Sequence, residues 1–547
     1  MADMGQSIQV AASPPRADNA PMRTCSLVGL GMVAFAACGV ACGSDGGGTG
    51  GGTNDGSDGG AHPGDGGAGK TNDGGAGDTD GGSNDGKDGG SGKDGGMVGP
   101  TFGAPIGTAN SYFGIVLAMS ADGNTIAVGS PHETSSSTGI DGDQTNSNAI
   151  SSGAVFVFTR AGAGFTLQAY VKASNTMGTG LFGTGVALSA DGDTMLVGAP
   201  GDRSNAKGIG GNQADTSAFY SGAAFVFARS GSTWSQKAYI KASNSYAGLR
   251  LGATVALSGD GATAVVGTIE DRSSATGING NQSDMSLNAT AGAAYVFTSS
   301  GGTWSQQAYV KPSNTVNAMS FATSAALSSD GNTMAIGATG EGSNATGVNG
   351  DQSNQSLNYA GATYVFTRSG VTWTQQAYVK ASNTRDTAFF GRTVSLSGDG
   401  NTLAVGANGE TCNATGVNGN QADTSLVNAG AAYVFARSGA TWSQQAYLKA
   451  SDTATNADFG KGMAISTSGD TLLVGAPNLT GMQGAVYPFT RAAGSWTTKP
   501  RMLSGMAQQP ARFGLAIGLS ADGTKIAIGS PDATYGGLIR VGIVETF

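Results

Sequence analysis

A phrase of about seventy residues returns seven times along the chain, and no other feature restricts the fold so tightly. The copies open at Phe113-Gly114, Phe182-Gly183, Leu251-Gly252, Phe321-Ala322, Phe390-Gly391, Phe459-Gly460 and Phe513-Gly514, with spacings of 69, 69, 70, 69, 69 and 54 residues. A fixed long period means that one copy is one supersecondary unit. No single unit can bury its apolar face alone, so stacked neighbours supply a continuous core.

Each copy holds four strand-like runs. In the second they are Gly185–Ser189, Thr194–Gly198, Ala223–Ala228 and Gln236–Lys241, all short and rich in β-branched and aromatic residues. An Asp-Gly turn such as Asp191-Gly192 joins the first two, a hairpin signal repeated at Asp122, Asp260, Asp330, Asp399 and Asp522, with Ser468-Gly469 in the sixth copy. A four-stranded meander repeated around an axis predicts an all-β fold, a seven-bladed β-propeller of antiparallel blades. The seventh copy stops at Phe547 after three runs (Leu515–Ser520, Lys525–Gly529, Leu538–Val544), while residues 101–110 align with the fourth run at 166–175. The first residues of the domain are therefore expected to complete the last blade, closing the ring and removing an exposed edge.

Phe-Gly opens most units, and Gly-Ala-Pro ends the second run at Gly198–Pro200 and Gly475–Pro477, with near matches at Gly129-Ser130-Pro131 and Gly529-Ser530-Pro531. In these motifs the chain resembles FG-GAP repeats, the blades of integrin α-chain propellers and of many bacterial surface proteins. Copies three to five depart after the glycine, at Thr268-Ile269, Ala338-Thr339 and Ala407-Asn408. The resemblance covers residues 101–547 and implies the fold, with a role in binding or adhesion. Integrin blades often hold Ca²⁺ in a first-hairpin loop rich in Asp. Here that hairpin offers one or two carboxylates where calcium needs six to eight oxygens, so those sites are not transferred.

Ahead of the repeats lie two further regions. Residues 1–42 read as a signal region whose natural start is Met22, because Arg23 and the apolar run from Leu27 to Ala37 have a secretory layout. Its end resembles a bacterial lipoprotein signal, with Cys42 as the expected lipidated residue and Cys38 as the alternative; cleavage without a lipid is the plainer outcome. Residues 43–100 hold 26 glycines and ten Asp against Lys70, Lys87 and Lys93. Such a tract buries too little to offset its ordering entropy and is expected to remain a disordered tether. Its Gly64–Thr71 stretch matches a P-loop letter for letter but has no strand before it or helix after it, so no nucleotide site is read there.

The repeat domain is left with a net charge of about −2 and no basic patch, which argues against nucleic acid as a partner. With His132 its only histidine and Cys412 its only cysteine, it lacks the parts for His-metal or nucleophile–base catalysis and for an internal disulfide. A non-enzymatic module is expected. The recurring Trp and Gln-Gln-Ala-Tyr segments read as packing between blades rather than as sugar platforms.

What remains is the loop between the second and third runs. In copies one to five it is long and repetitive, at 139–146, 208–215, 277–284, 347–354 and 416–423, each preceded by an acid: Glu133, Asp202, Asp271, Glu341 or Glu410. Copies six and seven shorten it to 478–483 and 532–537. One face should carry five long polar loops with a low gap over blades six and seven. The candidate ligand-face residues are Asp143, Gln144, Asn212, Gln213, Asn281, Gln282, Asp351, Gln352, Asn420 and Gln421. Equally, these side chains suit hydrogen bonds to their own loops and packing of each loop on the next. Asp141, Asp143 and Thr145 begin like a calcium loop without its later Gly and Glu, so Ca²⁺ there is the one cofactor candidate. The expected protein is an exported outer-membrane or cell-surface lipoprotein that touches the membrane only through its anchor, with a secreted or periplasmic protein as the alternative. It would bind a protein or glycan through the long-loop face. A lectin or carbohydrate-active enzyme using the same face is the alternative, and a purely structural envelope protein is a third.

Overall fold

The computed structural model describes residues 100–547 apart from 106 and 507–509. The signal region with Met22, Cys38 and Cys42, the tract of residues 43–99 and its Gly64–Thr71 motif lie outside the described residues. Among those described, no helix is long and apolar enough to cross a membrane.

The fold is all-β: seven four-stranded antiparallel sheets. In the second, Gly185–Leu188, Thr194–Ala199, Ala223–Ser230 and Thr233–Ile240 pair in chain order. The third and fourth strands run further toward their shared turn than the apolar runs indicate, because the pairing continues through Arg229–Trp234 and Ser230–Thr233. The seventh sheet joins Ala516–Leu519, Ile526–Ser530 and Ile543–Thr546 to Thr101–Gly103, with Thr101 opposite Glu545. Its third strand is shorter than the run Leu538–Val544. Tyr535 and Leu538 instead close a turn on each other, and pairing starts at Ile543, just after Gly542 at φ +85°.

The Asp-Gly turns are built alike. Asp399 Oδ1 accepts the Asn401 N–H (2.9 Å) and the Ser397 hydroxyl, while Ser397 Oγ accepts the Thr402 N–H (2.9 Å). Gly400 takes φ +66°, which only glycine adopts freely. The turns of neighbouring blades are linked to one another backbone to backbone. Ala121 N donates to Ala190 O, Ala190 N to Gly259 O, Asp260 N to Ser329 O and Ser329 N to Gly398 O. Gly398 N then donates to Thr467 O, Thr467 N to Ala521 O, and Ala521 N back to Ala121 O at 2.7 Å. The circle closes through every blade.

The same geometry accounts for the recurring Phe-Gly and Gly-Ala-Pro. Phe390 is fully buried, edge-on to Tyr433 (5.3 Å between centroids) and Phe435 (6.2 Å) of its own blade. A Cβ on Gly406, the second-strand glycine of that blade, would stand 2.0 Å from the carbonyl oxygen of Gly460, the opening glycine of the next. Gly198 meets Gly252 in this way, and Gly475 meets Gly514. The two glycines are halves of one interblade contact. This explains why Gly267, Gly337 and Gly406 persist in the copies that lose the rest of Gly-Ala-Pro. Further out, Trp442 Nε1 donates to Gln376 Oε1 of the preceding blade (2.8 Å), and Arg437 stacks over the indole at 5.5 Å. Trp234, Trp373 and Trp496 repeat the bond to Gln168, Gln307 and Gln445. The tryptophans therefore join blades.

Candidate functional site: the long-loop face

The five long loops are anchored from below by an arrangement that the sequence disclosed only in half. The acid ahead of each loop is buried, and it pairs with a buried lysine just after the fourth strand of the same blade. The pairs are Lys172–Glu133 (2.6 Å), Lys241–Asp202 (2.9 Å), Lys311–Asp271 (3.0 Å), Lys380–Glu341 (2.7 Å) and Lys449–Glu410 (2.8 Å), with every lysine side chain 0 % exposed. Lys241 places its three protons on Asp202, the Ser221 hydroxyl and the Gly222 carbonyl. Asp202 in turn accepts the Tyr239 hydroxyl (2.9 Å), the Ser204 N–H (3.0 Å) and the amide of Asn175 from the preceding connector (2.8 Å). Burial pushes the ammonium pKa of each lysine down, against the pull of its carboxylate. The signal lay in the sequence as a lysine recurring 39 or 40 residues after each acid. Blades six and seven, with short loops, have no such pair among the described residues.

Above the ion pairs each loop folds back along the outer strand of its blade. Ile140, Ile209, Ile278, Val348 and Val417 form single bridges to Val171, Ile240, Val310, Val379 and Leu448. The next residue sits in the left-handed region: Asp141, Asn279, Asn349 and Asn418 at φ +53° to +56°, and Gly210 at +70°. Asn and Asp tolerate that conformation best among side-chain-bearing residues. Their Oδ1 also caps the strand: Asp141 accepts the Tyr170 N–H (2.8 Å), and Asn349 and Asn418 accept those of Tyr378 and Tyr447 (2.9 Å each).

The candidate ligand-face residues divide into two kinds. Asp143, Asn212, Asn281, Asp351 and Asn420 turn inward, each accepting the backbone N–H two residues ahead at 2.8–3.0 Å. Gln213, Gln282, Gln352 and Gln421 reach sideways, their Oε1 accepting the hydroxyls of Ser174, Ser243, Ser313 and Ser382 on the preceding blade's connector. Gln144 has no equivalent serine, since the preceding blade is the seventh, and its enclosed Oε1 makes no hydrogen bond among the described residues. Asp141 and Asp143 spend an oxygen each on Tyr170 and Thr145. No group of three or more His, Cys, Asp or Glu gathers for a metal among the described residues.

The loops thus form a self-supported relief around the axis. Large apolar side chains stand out from it at corresponding places, Ile150 (72 % exposed), Phe219 and Val427, with Ile539 on the seventh blade, while in the fourth blade Tyr359 is exposed one residue further on. The carbonyls of Ile150, Phe219 and Val427 hold the connectors at Thr179, Gly248 and Asn456. His132 packs beside Tyr112, with Nδ1 3.0 Å from the Ser151 hydroxyl oxygen.

Residues 373–435 and 442–489, which run from the last strand of the fourth blade through most of the fifth and into the third strand of the sixth, match the FG-GAP repeat family model. The domain is an FG-GAP repeat β-propeller. A search of the curated proteins finds no match to the chain. The blades of this FG-GAP propeller that lie outside the two matched stretches repeat the same four-strand plan and the same glycine contacts, except that Gly267 meets Ala322. Its fold is that of a binding or structural module.

Proposed function

We propose that the chain is exported, held at the cell surface by a lipid on Cys42 or, failing that, Cys38, and uses the long-loop face of its propeller to bind or scaffold a protein or glycan partner. The observation carrying this reading is the construction of that face. Five loops are held by buried ion pairs, strand caps and loop-to-connector bonds, while Ile150, Phe219, Tyr359 and Val427 project from them to solvent. A surface ordered before its partner arrives forfeits little conformational entropy on binding, and exposed apolar groups rimmed by polar loops suit a contact. FG-GAP propellers are in general non-catalytic, which agrees with a binding role.

The test displays the full chain against glycan arrays and intact cells, with Phe219→Ser and Val427→Ser on the long-loop face and Asp399→Ser on the opposite face. Binding lost only with the first two supports the reading. No ligand at all, or loss only with Asp399→Ser, refutes it and leaves the structural envelope role. Hydrolysis or lyase activity on any bound glycan would convert the module into an enzyme. Mass spectrometry of the mature N-terminus separates a lipidated Cys42 from Cys38 and from plain cleavage, and peptides from residues 1–21 would refute a start at Met22.

A further inference from the structure

The repeat supplies its own comparison, because several loop and connector positions carry one residue in four of the five long-loop blades. Two departures from such shared residues, Lys207 and Ser245, line one groove together with Tyr246, whose position varies from blade to blade. Between the long loops of the second and third blades lies a solvent-open cavity of about 650 Å³, whose lining includes Lys207, Ser245, Tyr246, Asn281, Gln282 and Met285. Lys207 occupies the place of Thr138, Thr276, Thr346 and Thr415 in the other long loops. Tyr246 stands where the other connectors carry Met177, Val316, Arg385 and Ala454. Ser245 replaces Thr176, Thr315, Thr384 and Thr453, each of which donates its hydroxyl to the carbonyl three residues back. Ser245 is only 4 % exposed, yet its Oγ makes no hydrogen bond among the described residues.

The chemistry of the lining is one-sided. Lys207 is exposed, forms no ion pair among the described residues, and shares the cavity with no carboxylate. Asn281 and Gln282 use their carbonyl oxygens within the protein, on Ser283 N–H and the Ser243 hydroxyl. Their NH₂ groups have no bond among the described residues and can donate. The Tyr246 hydroxyl is fixed on the Glu270 carbonyl (2.9 Å), which holds the ring in place beside Met285. A free cation, amide donors, an unpartnered buried hydroxyl and an aromatic ring together suit a ligand with a flat C–H face, several hydroxyls and one negative charge. The volume falls within the range of small-ligand sites, roughly 300–1,000 Å³.

We propose that this groove binds an acidic sugar residue, a pyranose bearing one carboxylate, with Lys207 on the carboxylate, the sugar face against Tyr246, and Asn281, Gln282 and Ser245 on its hydroxyls. The proposal rests on the long-loop face being the binding face, and it narrows the partner to an anionic glycan.

The full chain is titrated calorimetrically with trigalacturonate, triglucuronate and trimannuronate, each beside its neutral trisaccharide, in low and in physiological salt. At least one acidic trisaccharide is expected to bind about ten-fold or more tightly than its neutral counterpart, as a charged hydrogen bond implies. Lys207→Thr, which installs the residue of the other four loops, removes that preference and its salt dependence. Tyr246→Ala, the residue of the fifth blade's connector, weakens acidic and neutral sugars together. The methyl glycoside of the bound acid, run alongside, tells a free sugar acid from a residue of a polymer, and both sources satisfy the proposal. Failure of all three acidic probes, or unchanged acidic binding in Lys207→Thr, overturns it. If the acidic probes fail while Phe219→Ser still abolishes capture of another ligand, the groove is refuted and the binding face stands; if neither is seen, both fall.

Discussion

Replacing Lys380 by Met tests whether the buried ion pairs carry the long-loop face. Lys380 Nζ lies 2.7 Å from Glu341 Oε2, and both side chains are 0 % exposed. The other carboxylate oxygen, Oε1, is served by Ser343 N–H (3.1 Å), Asn314 Nδ2 and Gln355 Nε2 (3.3 Å each). Lysine is therefore the partner of Oε2, and methionine would leave an uncompensated buried charge. Removing one member of a buried pair costs about 3–5 kcal/mol. With about 2.1 cal/mol/K of unfolding entropy per residue, a domain of this length has on the order of 0.9 kcal/mol/K at its midpoint, so the loss lowers Tm by roughly 3–5 °C. Adding Glu341→Gln removes the orphan charge while keeping an acceptor for Ser343, and should restore at least half of the drop. Scanning calorimetry of the full chain in both variants is the assay. A Lys380→Met protein melting within 1 °C of the parent, or no recovery in the double variant, would refute the assignment of the pair as the anchor of the fourth loop.

Three further outcomes follow from the structure. Gly406→Ala should destabilise by about 1–3 kcal/mol or more, because its Cβ would sit 2.0 Å from the Gly460 carbonyl oxygen, whereas Gly164→Ala, with nothing within 4 Å, should be close to neutral; equal melting of the two would contradict the glycine-to-glycine contact. Hydrogen bonds from the Ser274 and Ser286 hydroxyls pull the Asp284 carboxyl from 3.8 down to about 2. Its folded pKa is depressed, so the contribution is present above pH 4 and lost as pH falls toward 2. Hydrogen exchange across residues 281–287 should accelerate in that window while Ala293–Ser300 stays protected, and a flat profile would exclude the mechanism. Deleting residues 101–110 removes the strand opposite Ile543–Glu545 and exposes a sheet edge, so the truncated chain should melt several degrees lower and aggregate; unchanged melting would show that the inner hydrogen-bonded circle suffices.

The period of the opening motif and the Asp-Gly turns made the blades and their number legible, because strand alternation and turn chemistry are local. Strand ends were less so. The third and fourth strands extend into polar residues such as Arg229 and Ser230, where no apolar run marks the pairing, and in the last copy Leu538 belongs to a turn although it is apolar. At the candidate site the sequence marked the five loops, their Asn and Gln residues and the acid before each. It offered both a ligand-facing role and bonding within the loops for these side chains, and which groups bond where came only with the fold: Asp143 and Asn281 on their own backbones, Gln213 and Gln352 on the neighbouring connector.

By itself the sequence determined the repeating unit, the count of units and the face on which they differ, since each follows from residues adjacent along the chain. Only the tertiary structure decided which polar groups remain available. The partners of Glu341 and Trp442 lie 39 and 66 residues away, and Ser245, Lys207 and Tyr246 share a groove only because two blades stand side by side. A buried charge must find a partner wherever the fold puts one, and what is left unpaired at a surface depends on the packing of the whole ring.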